Sequence, residues 1–122
     1  MKLTNNEIYT YAKALNDAFV DGSQKLPIKI SFYLQKNKNI LSELASDIEK
    51  SKIEIAKTYG TLNEEKTQYV IDPDKIDITN KELNDLFDLE QDVQIHMINI
   101  DNLNDDIIIT TAQMEAIMFM IE

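Results

Sequence analysis

Residues 27–60 read PIKISFYLQKNKNILSELASDIEKSKIEIAKTYG, and this stretch decides the fold. Proline suits the first turn of a helix and glycine suits its end, and neither residue type occurs between Pro27 and Gly60. The stretch therefore predicts one long helix, which at about 1.5 Å per residue would measure roughly 50 Å.

Apolar residues recur along this helix in alternating steps of four and three, which is typical of the seam of a coiled coil or a helical hairpin. The seam consists of Ile30, Leu34, Asn37, Leu41, Leu44, Ile48, Ser51 and Ile55, in which Asn37 and Ser51 are polar interruptions. Apolar residues beside the seam, such as Phe32 and Ile40, widen the buried face. We therefore expect two partners on it, an N-terminal helix and the carboxy-terminal half.

The N-terminal partner begins at a capping box, because Thr4 and Glu7 have the S/T-x-x-E spacing. Helical periodicity then predicts a helix over residues 5–20, and Gly22 supplies a stop. Residues 1–60 are thus expected to form an antiparallel helical hairpin.

Past Gly60 the pattern favours shorter elements. They are a strand at 68–71, a helix over 80–91 that begins at a Thr79–Glu82 capping box, strands at 93–100 and 107–109, and a terminal helix that begins at Thr110. The expected fold is mostly helical α+β in a single domain over 1–122, with the hairpin packed against a small antiparallel sheet and two shorter helices.

Charge divides the chain at the same point. Residues 1–60 contain nine Lys and seven acidic residues, whereas residues 61–122 contain three Lys and fifteen acidic residues. The net charge of −10 disfavours binding to a phosphate backbone, so no direct nucleic-acid binding is expected. The acids alternate with apolar residues, which predicts that this acidic half folds.

Few residues suit catalysis. The chain has no Cys, and its one histidine, His96, lies in a strand pattern away from any Ser or Cys motif. Gly22 and Gly60 are isolated, so no phosphate-binding loop is present. We expect no enzyme activity and no cofactor.

Two groups of acids come nearest to a metal site. They are Asp72 with Asp74, and Asp101 with Asp105 and Asp106, but neither has the spacing of the twelve-residue calcium loop. We expect no metal. A hydrolase that uses clustered carboxylates and a divalent ion is the remote alternative.

Two features suit contact with another protein. Carboxylates on the helix at 80–91 and the turn at 101–106 could imitate the phosphates of a nucleic acid and occupy a basic groove on another protein, or serve solubility alone. The predicted binding residues are Asp85, Asp88, Glu90, Asp92, Asp101, Asp105 and Asp106. The Met-rich stretch at 114–121 is expected either to join the core or to bind a partner or a second copy.

Several short pieces of this chain together resemble a group of uncharacterised proteins encoded by phages and prophages, mainly of Gram-positive bacteria. The pieces are Lys2-Leu3-Thr4-Asn5-Asn6-Glu7, Leu26-Pro27-Ile28-Lys29, Lys57-Thr58-Tyr59-Gly60, Tyr69-Val70-Ile71-Asp72, Asn80-Lys81-Glu82-Leu83-Asn84-Asp85-Leu86 and Met114-Glu115-Ala116-Ile117-Met118. The resemblance implies a phage protein inside the host cell and supplies no catalytic residues.

These observations favour a non-catalytic phage accessory protein that binds and modulates or inhibits a host or phage protein, such as a defence nuclease, through its acidic half. The alternative is a structural or assembly protein of the phage, such as a tail component or chaperone, that acts by self-association, for example as a homodimer. The lack of Cys and of a long apolar run favours a cytoplasmic location in the host cell.

Overall fold

The computed structural model describes residues 1–19, 26–103 and 107–122. Within them, the α-helices are α1 (Asn5–Ala18), α2 (Ile28–Tyr59), α3 (Ile76–Asp88) and α4 (Thr111–Ile117). The strands are β1 (Lys2–Thr4), β2 (Gly60–Leu62), β3 (Tyr69–Ile71) and β4 (Glu90–Asp92). Single 3₁₀ turns lie at Pro73–Lys75, Ile100–Asn102 and Met118–Met120. The fold is mostly helical α+β, as the sequence predicts.

The helical hairpin is confirmed. The long helix α2 is continuous over 32 residues, about 48 Å, and α1 packs along it. The Tyr9 hydroxyl donates to Glu49 at 3.2 Å and the Asn16 amide donates to Ser42 at 3.4 Å, so the two helices run antiparallel. The Thr4–Glu7 capping box is present, whereas α1 ends at Ala18 rather than at 20. The predicted stop at Gly22 lies outside the described residues.

The predicted seam is buried only where another element covers it. Ile30, Leu34, Asn37, Leu41 and Ile48 are buried, whereas Ser51 is exposed. The reason is length, because α1 has 14 residues and spans about 21 Å. The C-terminal turns of α2 contact α3 and β3 instead.

The strands form two separate two-stranded antiparallel sheets, β1 with β4 and β2 with β3, rather than the one small sheet expected. Strand β3 confirms the strand predicted at 68–71. Its partner β2 follows α2 directly at Gly60, where a Cβ atom would lie 2.8 Å from the carbonyl oxygens of both Ala56 and Val70. Glycine is therefore required at this junction, for close approach of backbone rather than for a left-handed turn.

Helix α3 begins earlier than predicted. The expected Thr79–Glu82 capping box is wrong, since Thr79 is buried inside the helix and its hydroxyl donates to the Lys75 carbonyl at 2.7 Å. The 3₁₀ turn at Pro73–Lys75 leads straight into Ile76. A threonine that bonds the carbonyl four residues back is compatible with a helix interior, which the motif alone does not reveal.

The predicted strand at 93–100 is also wrong, because its hydrogen-bond partners change along its length. Val93 N–H donates to the Met1 carbonyl, His96 bonds the Asn37 side chain, and Ile98 N–H donates to the Met120 carbonyl. A single isolated parallel bridge joins Ile98 to Ile121. The expected alternation of burial is lost as well, because residues 95–97 are all half-buried and Ile98 is buried.

The predicted strand at 107–109 is not formed either. Ile107 and Ile109 are half-buried and line a small apolar pocket, whereas Ile108 is 84% exposed. The Thr110–Gln113 capping box follows as predicted and begins α4.

The hydrophobic core takes residues from both halves of the chain. It consists of Leu3, Ile8, Ala12, Leu15, Ile30, Leu34, Leu41, Ile48, Val93, Ile98, Ala116, Ile117 and Met120. Helix α1 therefore packs against α2, α3 and α4. This arrangement leaves the end of α3 and the start of α2 accessible at the surface.

Candidate functional site

Four of the predicted acids lie in one short stretch of chain, at the end of α3 and in β4. Asp85 and Asp88 are exposed and three residues apart, so they share a face of α3. Glu90 and Asp92 are exposed and alternate with Gln91, so they share a face of β4. We call Asp85, Asp88, Glu90 and Asp92 the acidic surface.

Asn5 fixes this stretch to the rest of the molecule. Its backbone N–H donates to the Leu89 carbonyl at 2.8 Å, and its side-chain amide donates to the Leu86 carbonyl at 2.8 Å. The same side chain accepts a hydrogen bond from Gln91 at 2.7 Å. Asn5 is buried, so the last carbonyls of α3 are satisfied from inside while the carboxylates point to solvent.

The pairing of β1 with β4 sets the surroundings of the two strand acids. Lys2 lies opposite Asp92 and Thr4 lies opposite Glu90. The terminal amino group of Met1 also contacts the Asp92 carboxylate at 3.3 Å. Asp92 is therefore the member of the acidic surface with the most nearby positive charge.

The other acids of this surface have less positive charge near them. Asp85 lies 3.9 Å from the Lys81 ammonium, an exposed pair of little strength. Within the described residues, Asp88 and Glu90 have no ion-pair partner, and the last turn of α3 contains no basic residue. Carboxylates at a helix C-terminus face the negative end of the helix dipole, so this placement is unfavourable for stability.

An exposed leucine lies among these acids. Leu89 is 58% exposed and sits between Asp88 and Glu90. Sequence reasoning did not select Leu89, because it falls after the apolar stripe of α3 has ended. An apolar side chain among carboxylates gives the acidic surface a hydrophobic anchor point.

The described structure does not place the other predicted acids in the acidic surface. Asp101 is exposed on the 3₁₀ turn Ile100–Asn102, whose first N–H donates to the Glu122 carbonyl. Asp105 and Asp106 lie outside the described residues. Across the described ranges, no three His, Asp or Glu side chains lie close enough together to hold a metal ion.

The structure adds a second charged surface, at the start of α2. The Lys36 ammonium lies 5.4 Å from the centre of the Phe32 ring, and the Lys29 ammonium lies 5.8 Å from that of Tyr33. Tyr33 in turn stacks on the His96 ring, with centroids 5.5 Å apart and planes at 27°. We call Lys29, Phe32, Tyr33, Lys36 and His96 the basic–aromatic surface.

Sequence reasoning missed this surface. The wide apolar face of the long helix suggested that Phe32 packs inside, but the side chain is 54% exposed. The available signal was local charge, because residues 28–42 include three Lys and no acid in a chain of net charge −10. His96, which the sequence placed in the predicted strand at 93–100, is half-buried and stacked.

Open grooves flank α1. One of about 400 Å³ lies between α1 and α2, and one of about 390 Å³ lies between α1 and α4. The first is crossed by the Tyr9–Glu49 and Asn16–Ser42 hydrogen bonds, which hold the hairpin. In the same groove the hydrogen bond and charge of Asp17 raise the pKa of Lys13. The polar groups of this groove therefore form hydrogen bonds and an ion pair with one another.

Most of the Met-rich terminus belongs to the core. Ile117 and Met120 are buried, and Phe119 stacks on Tyr11 with ring centroids 4.3 Å apart. Met118, at 60% exposed, is an apolar residue of the stretch that faces solvent. The core interpretation of this segment therefore holds for most of its residues.

No protein-family model, curated protein or solved structure matches this chain. None of the helices in the described ranges combines the length and apolarity needed to cross a bilayer.

Proposed function

We propose that this chain is a non-catalytic binding protein whose acidic surface engages a basic surface on another protein. The observation that carries the proposal is the exposed sequence Asp88-Leu89-Glu90 at the end of α3. Its two carboxylates have no ion-pair partner among the described residues and oppose the helix dipole. A basic partner would relieve this unfavourable placement.

Charge complementarity of this kind chiefly accelerates encounter and selects the partner, and burial of an apolar anchor prolongs the complex. Leu89 is the side chain available for burial. Added salt should therefore weaken the binding, because it screens the carboxylates. Truncation of Leu89 should also weaken the binding but leave its salt dependence unchanged.

We further propose a phage context, in which the partner is a host or phage protein in the cytoplasm of the infected cell. The support is the resemblance of the whole chain to uncharacterised phage and prophage proteins, in pieces that run from Lys2 through residues 80–86 to Met118. A host defence protein with a nucleic-acid groove is the partner that an acidic mimic of phosphates would fit.

The test is affinity capture of the tagged chain from host lysate at low and high salt, followed by calorimetry with the purified protein that is recovered. Asp88→Asn combined with Glu90→Gln should weaken binding about tenfold or more. Glu64→Gln combined with Glu65→Gln is the matched control, because it removes equal charge from another exposed turn. We expect the control to bind within about twofold of the parent.

Three results would contradict the proposal. They are capture of nothing whose retention depends on salt, equal losses for the two double variants, and a partner with an acidic rather than a basic contact surface. Retention of the parent affinity by Leu89→Ala would remove the anchor from the account.

A further inference from the structure

The basic–aromatic surface has the composition of an interface rather than of ordinary helix surface. Phe32 is more than half exposed, and one lysine lies over each ring, Lys36 over Phe32 and Lys29 over Tyr33. Stacking on His96 fixes Tyr33 in place. An exposed phenylalanine ring with two lysines on the same surface favours an anionic partner that also offers an apolar side chain.

No carboxylate within the described ranges pairs with the lysines of this surface. Among the described residues, neither Lys29 nor Lys36 forms an ion pair, and the first turn of α2 contains no acid. Lys29 lies in that first turn, next to the positive end of the helix dipole. Its placement is unfavourable in the same way as that of Asp88 at the negative end of α3.

We infer that the basic–aromatic surface binds the acidic surface of a second copy of this chain, head to tail. Charge complementarity supports this occupant, because the chain itself presents a leucine among carboxylates that matches a phenylalanine among lysines. Contact would place Lys29 and Lys36 against Asp88 and Glu90 and would bury Phe32 against Leu89. Each set of charges would then offset the dipole of the other helix.

Two different surfaces meet in such a contact, so the interface is heterologous. However many copies are added, the assembly keeps one free surface at each end, to which a further copy can bind. The inference rests on the proposed function in one respect, because both use the acidic surface. A partner on that surface would compete with the next copy and dissolve the assembly.

The association should be weak. Exposed ion pairs contribute little each, and two chains of net charge −10 repel at distances that salt screens beyond about 8 Å. We therefore expect the average mass of the particles to grow with protein concentration at physiological salt. This growth should be lost at roughly 0.5 M salt, because the close ion pairs are then screened too.

Complementation in the analytical ultracentrifuge is the direct test. One variant, Lys29→Glu with Lys36→Glu, keeps only the acidic surface, and another, Asp88→Lys with Glu90→Lys, keeps only the basic–aromatic surface. Each alone should stay monomeric, and their equimolar mixture should form a one-to-one dimer that grows no further. Lys50→Glu with Lys52→Glu changes the same charge elsewhere on exposed α2 and should assemble like the parent.

A monomeric parent at all concentrations, a mixture that fails to associate, or assembly by either single-surface variant alone would overturn the inference. Binding of a fluorescent single-stranded oligonucleotide that is lost with Lys29→Glu and Lys36→Glu would also overturn it, because the surface would then belong to nucleic acid. Urea unfolding of every variant checks that the fold is retained.

The same variants separate this inference from the proposed function. The Lys29→Glu, Lys36→Glu variant retains the acidic surface, so it should still capture the basic partner. Partner capture without self-association contradicts the head-to-tail contact alone. Self-association without any salt-sensitive partner contradicts the proposed function alone.

Discussion

The side chain of Asn37 and the backbone of His96 exchange two hydrogen bonds. The Asn37 amide donates to the His96 carbonyl at 2.9 Å, and its oxygen accepts from the His96 N–H at 2.8 Å. Asn37 is completely buried on α2, so a side chain takes the position that a neighbouring strand would occupy. This contact ties the segment at 93–98 to the long helix.

Replacement of Asn37 by Ala should destabilise the protein by about 2 to 4 kcal/mol, because two backbone groups lose their partner and a cavity remains. Urea unfolding measures the change. Asn39→Ala is the control, since Asn39 is exposed and its side chain accepts a bond from the exposed Gln35, and its effect should stay within about 0.5 kcal/mol. Equal effects of the two substitutions would contradict a structural role for the Asn37–His96 contact.

Replacement of Asn37 by Asp should make stability depend on pH in a defined direction. Burial raises the pKa of a carboxyl at this position above its unfolded value, since the charged form loses solvation. Its neutral form can still donate one bond, so the variant should be most stable below the unfolded pKa and lose stability as pH rises through the folded pKa. Urea unfolding between acid and neutral pH tests this, and a loss that is the same at every pH would contradict it.

The parts of the fold that could be predicted from sequence are those fixed by neighbouring residues. Thr4 with Glu7 begins α1, and Pro27 and Gly60 delimit α2, because capping and backbone restriction act within one turn. Strands β1 and β4 have three residues each and pair across some ninety positions, so neither carries enough periodicity to be found.

The candidate site was predictable in composition but not in arrangement. The surplus of acids in the second half identified Asp85, Asp88, Glu90 and Asp92, but only the fold shows that Asn5 holds their segment in place. The basic–aromatic surface was missed because a wide apolar stripe suggests burial, and sequence does not reveal where neighbouring elements stop covering it. Phe32 lies on the face of α2 opposite the buried Ile30 and Leu34, so it stays exposed although other elements cover that turn of the helix.

Replacement of Gly60 by Ala should destabilise the β2–β3 pair. A Cβ atom there would lie 2.8 Å from the Ala56 and Val70 carbonyl oxygens, both of them backbone atoms that can move only with their elements. We expect a loss of about 1 to 3 kcal/mol in urea unfolding, typical of overpacking. Thr61→Ala, at the next and exposed position of β2, should cost less, and the reverse order would contradict the steric account.

The contact between Tyr59 and Glu82 should be visible in alkaline titration. The hydrogen bond to the Glu82 carboxylate, reinforced by burial and by its charge, raises the pKa of Tyr59 above 10.0. Its stabilising effect is therefore complete below the unfolded pKa and disappears as pH rises through the folded pKa. Ring-carbon NMR should show the Tyr59 pKa falling in Glu82→Gln and unchanged in Asp85→Asn, one turn further along α3. Equal shifts in both variants would indicate a general charge effect instead.

Replacement of Asn5 by Ala should loosen the acidic surface from inside. The variant loses the bonds that its side chain makes with the Leu86 carbonyl and with Gln91, at a buried position, so we expect a loss of about 1 to 3 kcal/mol. Amide exchange in β4 should accelerate more than that in β2 and β3, because only β4 depends on this residue for its position. Asn6→Ala, exposed and next in the same helix, is the control and should leave exchange in β4 unchanged. If the two variants exchange alike, Asn5 does not hold the segment, and the geometry of Asp88 and Glu90 must then come from the β1–β4 ladder alone.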